Sequence, residues 1–150
     1  EFCERTIPRT LASRFVHFSL PDFVPKAVAL NSALCVLVKD GRADEGSKPF
    51  LNAYLGSARR VKKNYERLDV QKYITQKFPP VFMMTAPNDF LFAQAKPQYE
   101  LFTARGVKAE YKIYGTPSDD WASHVFHLNM RLPAAKQCND DEAEFFLKNC

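Results

Sequence analysis

The sequence has little glycine and no long apolar run, and each of these absences excludes a class of protein. Only five of the 150 residues are glycine, whereas a collagen-like repeat needs glycine at every third position. No apolar stretch approaches the roughly 18 residues that a membrane-spanning helix requires. The charged, proline-containing start, residues 1–9, is not typical of a signal peptide. The sequence therefore predicts no membrane span, and it favours a cytoplasmic location while leaving the compartment open.

Closely spaced cysteines are also missing. Cys3, Cys35, Cys138 and Cys150 are far apart, whereas a zinc ribbon needs ligands paired at short spacing. We therefore expect no metal or other cofactor. Four cysteines allow three disulfide pairings that the sequence does not distinguish, and free thiols are favoured because a chain of this length needs no disulfides to fold. Cys35 lies in an apolar run and is predicted to be a small buried residue.

The composition is that of an ordinary globular domain. Hydrophobic residues make up 46% and charged residues 25% of the chain, which excludes wholesale disorder. A length of 150 residues suits one domain with a substantial core. Because the chain does not begin with methionine, we expect that it was processed, cloned in part or cut from a longer protein.

The net charge of +4 is mild and does not indicate a nucleic-acid partner. Basic side chains concentrate in one predicted helix, over residues 58–68. They are Arg59, Arg60, Lys62, Lys63 and Arg67. A charge run on a helix is usually a solvated face, so no nucleic-acid partner is expected; a steep salt dependence of DNA binding would revive that alternative.

Apolar segments alternate with helical segments along the chain. Residues 27–30 and 81–85 are short apolar runs typical of buried strands, and residues 109–114 alternate as a half-buried strand does. Residues 11–18 are predicted to form a short helix, and residues 48–56 a short irregular or helical insertion. Strands that alternate with helices predict an α/β fold with a parallel sheet flanked by helices.

Two further helices are predicted from signals at their ends. Residues 97–105 form one, because Pro97 suits its first turn and Gly106 the position after its last. Residues 139–149 form the other, with Asn139 as the N-cap of a capping box. Its predicted buried face comprises Ala143, Phe146, Leu147 and Cys150.

Two polar side chains follow predicted strands. Asp89 lies just after the strand 81–85, and His124 lies in the loop after the strand 109–114. Because the carboxyl ends of parallel strands meet at one edge of a sheet, we expect these side chains to lie at the same edge. A carboxylate there can hold an imidazole through one ring nitrogen and leave the other nitrogen free as a general base.

The second half of the chain resembles the C-terminal half of an α/β-hydrolase of the esterase and lipase branch. The residues that carry the resemblance are FPPVFMMTAPND (78–89), YELFTARGV (99–107) and HVF (124–126). Members of that family often carry Pro-Pro, an apolar strand, a short turn and an Asp. A helix ending in Ala-x-Gly-Val, a strand, His-x-Phe and a final helix follow. The resemblance extends more weakly back to Lys26.

The resemblance implies that Asp89 is the acid and His124 the base of a catalytic triad that hydrolyses carboxylic esters. His127, three residues on, is an alternative base, and His17 is a more distant one. Asp89 has its own alternative as a turn residue, since Pro-Asn-Asp favours turns. Asp119 and Asp120 are interpreted as a solvated loop pair.

The nucleophile of such a triad is missing. A serine hydrolase needs a tight elbow, G-x-S-x-G, in which the residues two before and two after the serine are small. The sequence has no such motif and no Gly-rich oxyanion stretch of the HGGG type. Bulky residues flank Ser13, Ser32 and Ser57 at the crowded positions, and no cysteine is placed better.

The resemblance therefore implies a C-terminal portion of a hydrolase. Residues 1–25 match poorly, residues 26–150 form the hydrolase-like region, and residues 37–76 are an insertion or cap-like. We expect a small ester as substrate and an N-terminal hydrolase segment or a second copy as partner, because open strand edges invite association. Whether the chain is an enzyme by itself stays open, since without its nucleophile it would lose nearly all turnover.

A non-catalytic hydrolase-like module that binds a small apolar ligand or a protein partner is the alternative function. The missing elbow favours it. For the hydrolase function, the candidates to line an apolar acyl pocket are Phe50, Tyr54, Phe90 and Phe92, although core packing is the better explanation for any one of them alone.

Overall fold

A computed structural model describes residues 25–39, 42–56 and 62–150. Several predictions lie outside these residues. They are the helix 11–18, the first part of the helix 58–68, nearly all of the segment 1–25, and the side chains of Cys3, Ser13, His17, Ser57, Arg59 and Arg60.

Short strands and helices alternate along the described chain. The strands are β1 (Val28–Asn31), β2 (Val38–Lys39), β3 (Arg42–Ala43), β4 (Val81–Thr85) and β5 (Ala109–Ile113). The α-helices are α1 (Lys48–Leu55), α2 (Lys62–Leu68), α3 (Phe92–Ala104) and α4 (Pro133–Asn149). Short 3-10 turns occupy Glu45–Ser47, Val70–Tyr73 and Phe126–Leu128.

The central sheet is parallel and has the order β1-β4-β5. All five residues of β4 are buried, because this strand has a neighbour on each edge and helices over both faces. Its alternate side chains separate two clusters: Val81 and Met83 pack with Phe102 of α3, whereas Phe82 and Met84 pack with Phe145 of α4. The predicted fold class, an α/β fold with a parallel sheet flanked by helices, is confirmed.

A third apolar cluster lies within the segment predicted as an insertion. Val38, Leu51 and Leu68 are buried together and join the β2–β3 ribbon to α1 and α2. Gln94 of α3 binds the segment between β1 and β2. Its Oε1 accepts the N–H groups of Cys35 and Val36 at 3.1 and 3.0 Å. The assignment of residues 37–76 as cap-like stays a prediction.

The start of α3 differs from the prediction. The helix begins at Phe92 rather than at Pro97, which lies inside it. The turn at Asp89 starts the helix early, because its carbonyl accepts the N–H of Phe92 at 2.9 Å. Pro97 is on the exposed side. Gly106 does follow the helix as predicted, with a positive φ of 75° that glycine adopts readily.

The predictions for α4 also need correction. The helix begins at Pro133, and Asn139 is not its N-cap. The Asn139 side-chain amide instead donates to the carbonyls of Ala135 and His127, at 2.9 and 3.0 Å. The buried face of the helix consists of Ala135, Cys138 and Phe145. The predicted face was wrong at Ala143 and Cys150, which are exposed, and at Leu147, which is 84% exposed, although Phe146 packs partly against the core.

The described cysteines, Cys35, Cys138 and Cys150, are free thiols, as the sequence favoured. Cys35 is half-buried rather than fully buried. None of the described helices combines the length and the hydrophobicity that a transmembrane span needs.

Candidate active site

Asp89 lies in the turn between β4 and α3, and its carboxylate shapes that turn. Its Oδ1 accepts the N–H of Leu91 at 2.8 Å. The residue is only 4% exposed, and its Oδ2 has no hydrogen-bond partner within the part of the chain that the structure describes. Asp89 is therefore a turn residue, as one of the two interpretations predicted. Its carboxylate can make a second contact at the same time.

That second contact is to His124. The Nδ1 atom of His124 lies 3.0 Å from Oδ1 of Asp89. A buried carboxylate accepts hydrogen bonds, so this geometry favours the tautomer that carries a proton on Nδ1. The Nε2 atom is then an acceptor, and the half-exposed ring can receive a proton from outside. The structure thus brings together the two side chains that the strand order placed at one edge.

Asn88 joins the turn of Asp89 to the loop of His124. Its backbone N–H donates to the carbonyl of Ala122 at 2.9 Å, and it forms an isolated parallel bridge with Ser123. Its side-chain amide donates to the carbonyl of Asp119 at 3.0 Å. Sequence reasoning missed this role, because an Asn beside an Asp is an ordinary turn signal.

The loop before His124 is closely packed at Gly115. This glycine has a φ of 81°. A Cβ atom there would lie 2.8 Å from Cβ of Ala122 and 2.8 Å from the ring of Trp121. Trp121 in turn packs on Phe126, with ring centroids 5.5 Å apart. The loop therefore folds back on its own start, with Trp121 and Ala122 against Gly115 just before His124.

Asp119 and Asp120 do not approach the pair. Asp119 closes the loop locally, since its Oδ2 accepts the N–H and the hydroxyl of Thr116 at 2.7 Å each. These bonds lower the pKa of the Asp119 carboxyl. Asp120 is exposed, so the solvated interpretation fits Asp120 better than Asp119.

His127, the alternative base, is buried and makes no bond to Asp89. Its Nδ1 has no hydrogen-bond partner among the described residues. Burial lowers the pKa of His127, nearby Glu142 opposes that shift, and the proximity of His124 adds to it. A buried histidine that makes no hydrogen bond to the carboxylate does not match the geometry of a carboxylate-held base.

Aromatic rings border His124. Phe90 lies against the imidazole, with ring centroids 4.4 Å apart, and Phe50 of α1 stacks on Phe90 at 6.1 Å. Phe90 is 64% exposed although it is large and apolar. Tyr54 and Phe92 are also exposed, but no ring contact joins either of them to this stack in the described chain. Of the four candidate pocket residues, Phe90 therefore contacts the imidazole and Phe50 stacks on Phe90.

A nucleophile beside His124 is not found among residues 25–39, 42–56 and 62–150. No hydrogen bond joins His124 to a serine or cysteine there. Ser32 is buried, and its Oγ accepts the N–H of Val125 at 3.2 Å. Burial raises the pKa of the Cys35 and Cys138 thiols to about 11 each, and such thiols are poor nucleophiles. The same residues contain no group of three or more His, Cys, Asp and Glu side chains placed to hold a metal ion.

Comparison with known proteins gives structural likeness only. No protein-family model matches the sequence, and no curated protein is significantly similar to it. Esterase B from Lactobacillus rhamnosis, in a form inhibited by a C4-C4 SN3 tributyrin phosphonate, has a TM-score of 0.67 at 18% identity. That match covers 96% of this chain and 45% of the esterase.

A second esterase also matches this chain in structure. The thermophilic esterase Est2 from the Planctomycetes species Thermogutta terrifontis has a TM-score of 0.61 at 15% identity, covering 87% of this chain and 47% of that one. The chain therefore spans less than half the length of these esterases. At such identities the likeness shows the fold alone: this chain has a fold similar to that of the matched part of these esterases.

Proposed function

We propose that this chain supplies the acid and the base of a serine-type ester hydrolase. The observation that carries the proposal is the 3.0 Å contact between Nδ1 of His124 and Oδ1 of Asp89. The two residues follow adjacent parallel strands of an esterase-like fold. A buried carboxylate that holds a half-exposed imidazole by one nitrogen is the arrangement that general-base catalysis of acyl transfer requires.

The chemistry assigns one role to each side chain. Nε2 of His124 takes the proton from a serine hydroxyl as the serine oxygen bonds to the ester carbonyl carbon. The protonated imidazole then gives that proton to the departing alcohol oxygen. Asp89 keeps the ring in its tautomer and stabilises the imidazolium through the charge on its buried carboxylate. A water molecule, activated by the same nitrogen, then hydrolyses the acyl-serine.

The nucleophile and the oxyanion hole come, in this proposal, from an N-terminal hydrolase segment, and residues 26–150 act as its C-terminal partner. Within the described residues β1 pairs with β4 alone, so its other edge is open. A parallel strand added there would end at the same sheet edge as Asp89 and His124. The coverage of less than half of the esterase chains supports the same division.

The wall beside His124 indicates an ester with an apolar acyl or alcohol group. Phe90 and Phe50 form a continuous apolar surface that begins at the imidazole. Because Phe50 lies on α1, the proposal includes residues 37–76 as a cap over the site. A small ester with a short hydrocarbon chain would bury that chain against these rings.

The test is serine labelling of the protein in the form in which its source makes it. The native protein is treated with a fluorophosphonate probe, and mass spectrometry identifies the labelled serine and the polypeptide that carries it. We expect a labelled serine in a polypeptide that contains this sequence or is bound to it, together with hydrolysis of p-nitrophenyl butyrate. Native protein without a labelled serine and without ester hydrolysis would contradict the proposal.

A non-catalytic module that binds a small apolar ligand is the second candidate. The exposure of Phe90, a large apolar ring that stays 64% exposed although Phe50 and His124 lie against it, favours it. Binding of an apolar fluorescent probe such as 8-anilinonaphthalene-1-sulfonate, lost in Phe90→Ala, by native protein that the fluorophosphonate does not label would support this function.

A further inference from the structure

Two residues with an unusual backbone meet behind His124. Ser32, directly after β1, has a φ of 48°, and Val125, directly after His124, has a φ of 53°. These are the described non-glycine residues with positive φ, a conformation that is unfavourable for an L-residue. The N–H of Val125 donates to Oγ of Ser32 at 3.2 Å. Strained residues of this kind persist where the surrounding structure holds them.

We propose that Ser32 is a positioning residue that fixes the imidazole of His124 against Asp89. The inference rests on the proposed function, because it concerns the geometry of the same acid–base pair. Ser32 acts through the backbone: it holds the residue after His124 and does not touch the substrate.

The backbone on both sides of His124 is held, each side by a different strand end. On one side Ser123 is bridged to Asn88 in the turn that follows β4. On the other side Val125 is held by Ser32 at the end of β1. Since His124 lies between these two attachments, its Cα–Cβ direction depends on both of them.

The left-handed conformation at Val125 explains why this second attachment is needed. The chain must direct His124 to Asp89 and, two residues later, place Phe126 in the core with Trp121. A β-branched residue strongly disfavours a positive φ. Without an acceptor for its N–H, Val125 would have both a strained backbone and an unpaired donor, and the loop would relax toward other conformations.

Ser32 itself is not the nucleophile in this proposal. The residue is 5% exposed, and its Oγ accepts the Val125 N–H. Leu30 and Leu34 occupy the positions two before and two after it, where an elbow needs small residues. Labelling of Ser32 by a fluorophosphonate would overturn the positioning role.

The test uses ¹⁵N-imidazole NMR of His124 in the native protein, in the form also used for serine labelling. In the unsubstituted chain we expect the tautomer with the proton on Nδ1. In Ser32→Ala we expect the ratio of the Nδ1–H to the Nε2–H tautomer to fall at least about fivefold, the factor that corresponds to one hydrogen bond. Ser32→Gly removes the hydroxyl but relieves the positive φ, so its thermal midpoint should fall less than that of Ser32→Ala while the tautomer ratio falls as much.

Ser47→Ala is the matched control. Ser47 is also a buried serine, but it lies directly before α1. Its hydroxyl donates to the carbonyl of Val36 and accepts from the side-chain amide of Gln94. This variant should lower the thermal midpoint and leave the His124 tautomer unchanged.

The experiment distinguishes a failure of the proposed function from a failure of the positioning role of Ser32. If the unsubstituted chain lacks the Nδ1–H tautomer, the acid–base pair of the proposed function is wrong. If it has that tautomer and both Ser32 variants keep it, the pair stands and the positioning role of Ser32 is wrong.

Discussion

A single carboxylate oxygen of Asp89 serves both the turn and the histidine, and substitution can separate these two roles. Asp89→Asn keeps an oxygen that can accept the Leu91 N–H but removes the negative charge beside His124. In the native hydrolase form we expect the rate of ester hydrolysis to fall about 10³–10⁴-fold, with a nearly unchanged thermal midpoint. Asp120→Asn, an exposed carboxylate in the same loop as His124, should leave the rate unchanged. A loss of less than tenfold in Asp89→Asn would contradict the role of Asp89.

His127 makes the stability of the chain depend on pH. Burial lowers its pKa in the folded state below the ordinary value of 6.5, with Glu142 opposing and His124 reinforcing the shift. The unfolded chain therefore binds a proton at a higher pH than the folded chain does. The free energy of unfolding should fall as the pH drops below about 6.5, and this loss should level off below the lowered folded-state pKa.

Urea unfolding at a series of pH values checks this prediction. His127→Gln removes the titrating group, so its free energy of unfolding should change less between pH 8 and pH 5 than that of the unsubstituted chain. Equal pH dependence in the two proteins would show that His127 does not contribute.

Residue contacts were predictable only where a strand end fixed them. The edge position of Asp89 and His124 follows from the order of strands and helices, because parallel strands present their carboxyl ends together. The contacts of Ser32 and Asn88 were not predictable, since both depend on the path of a loop. That path requires a left-handed Val125, a conformation that no sequence rule assigns to valine.

At the scale of elements, the connection from β5 to the His124 loop depends on Gly115. Gly115→Ala would combine a strained φ of 81° with a Cβ 2.8 Å from Ala122 and Trp121. We expect a loss of about 2–4 kcal/mol in the free energy of unfolding, measured by urea denaturation. Gly106→Ala is the matched control, because its φ is 75° but its Cβ would meet only ordinary contact, at 3.7 Å. It should cost about 1–2 kcal/mol. Equal losses of unfolding free energy in the two variants would mean that the close contacts at Gly115 do not contribute to the cost of the substitution.

The ends of an element were predictable from the sequence where a buried apolar run sets them. They were not predictable where hydrogen bonds to distant residues set them. β4 was predicted at its observed limits, because an uninterrupted apolar run between Pro80 and a turn is typical of a central strand. The predicted starts of α3 and α4 were wrong. Pro97 is tolerated on an exposed helix side, and the Asn139 amide finds the carbonyl of His127 outside the helix, so neither local signal marks an end.

At the scale of the whole molecule, the edge of β1 that has no neighbouring strand among the described residues predicts where association occurs. The N–H groups of Val28 and Ser32 donate to the carbonyls of Pro80 and Met84 in and beside β4. Because donors alternate along a parallel strand, the N–H groups of Ala29 and Asn31 point to the other edge. We expect these two amides to exchange rapidly with solvent deuterium in the chain alone at low concentration, whereas amides of β4 are slow.

A partner strand would protect those same amides, which distinguishes the possible partners. If a second copy occupies the edge, protection of Ala29 and Asn31 rises with concentration together with a dimer in analytical ultracentrifugation. If an N-terminal hydrolase segment occupies it, the protection appears only in the native assembly, and it should accompany fluorophosphonate labelling of the added segment. Slow exchange of both amides in a monomer would mean that residues of this chain already cover the edge. The nucleophile would then have to reach His124 by a route other than an added strand beside β1.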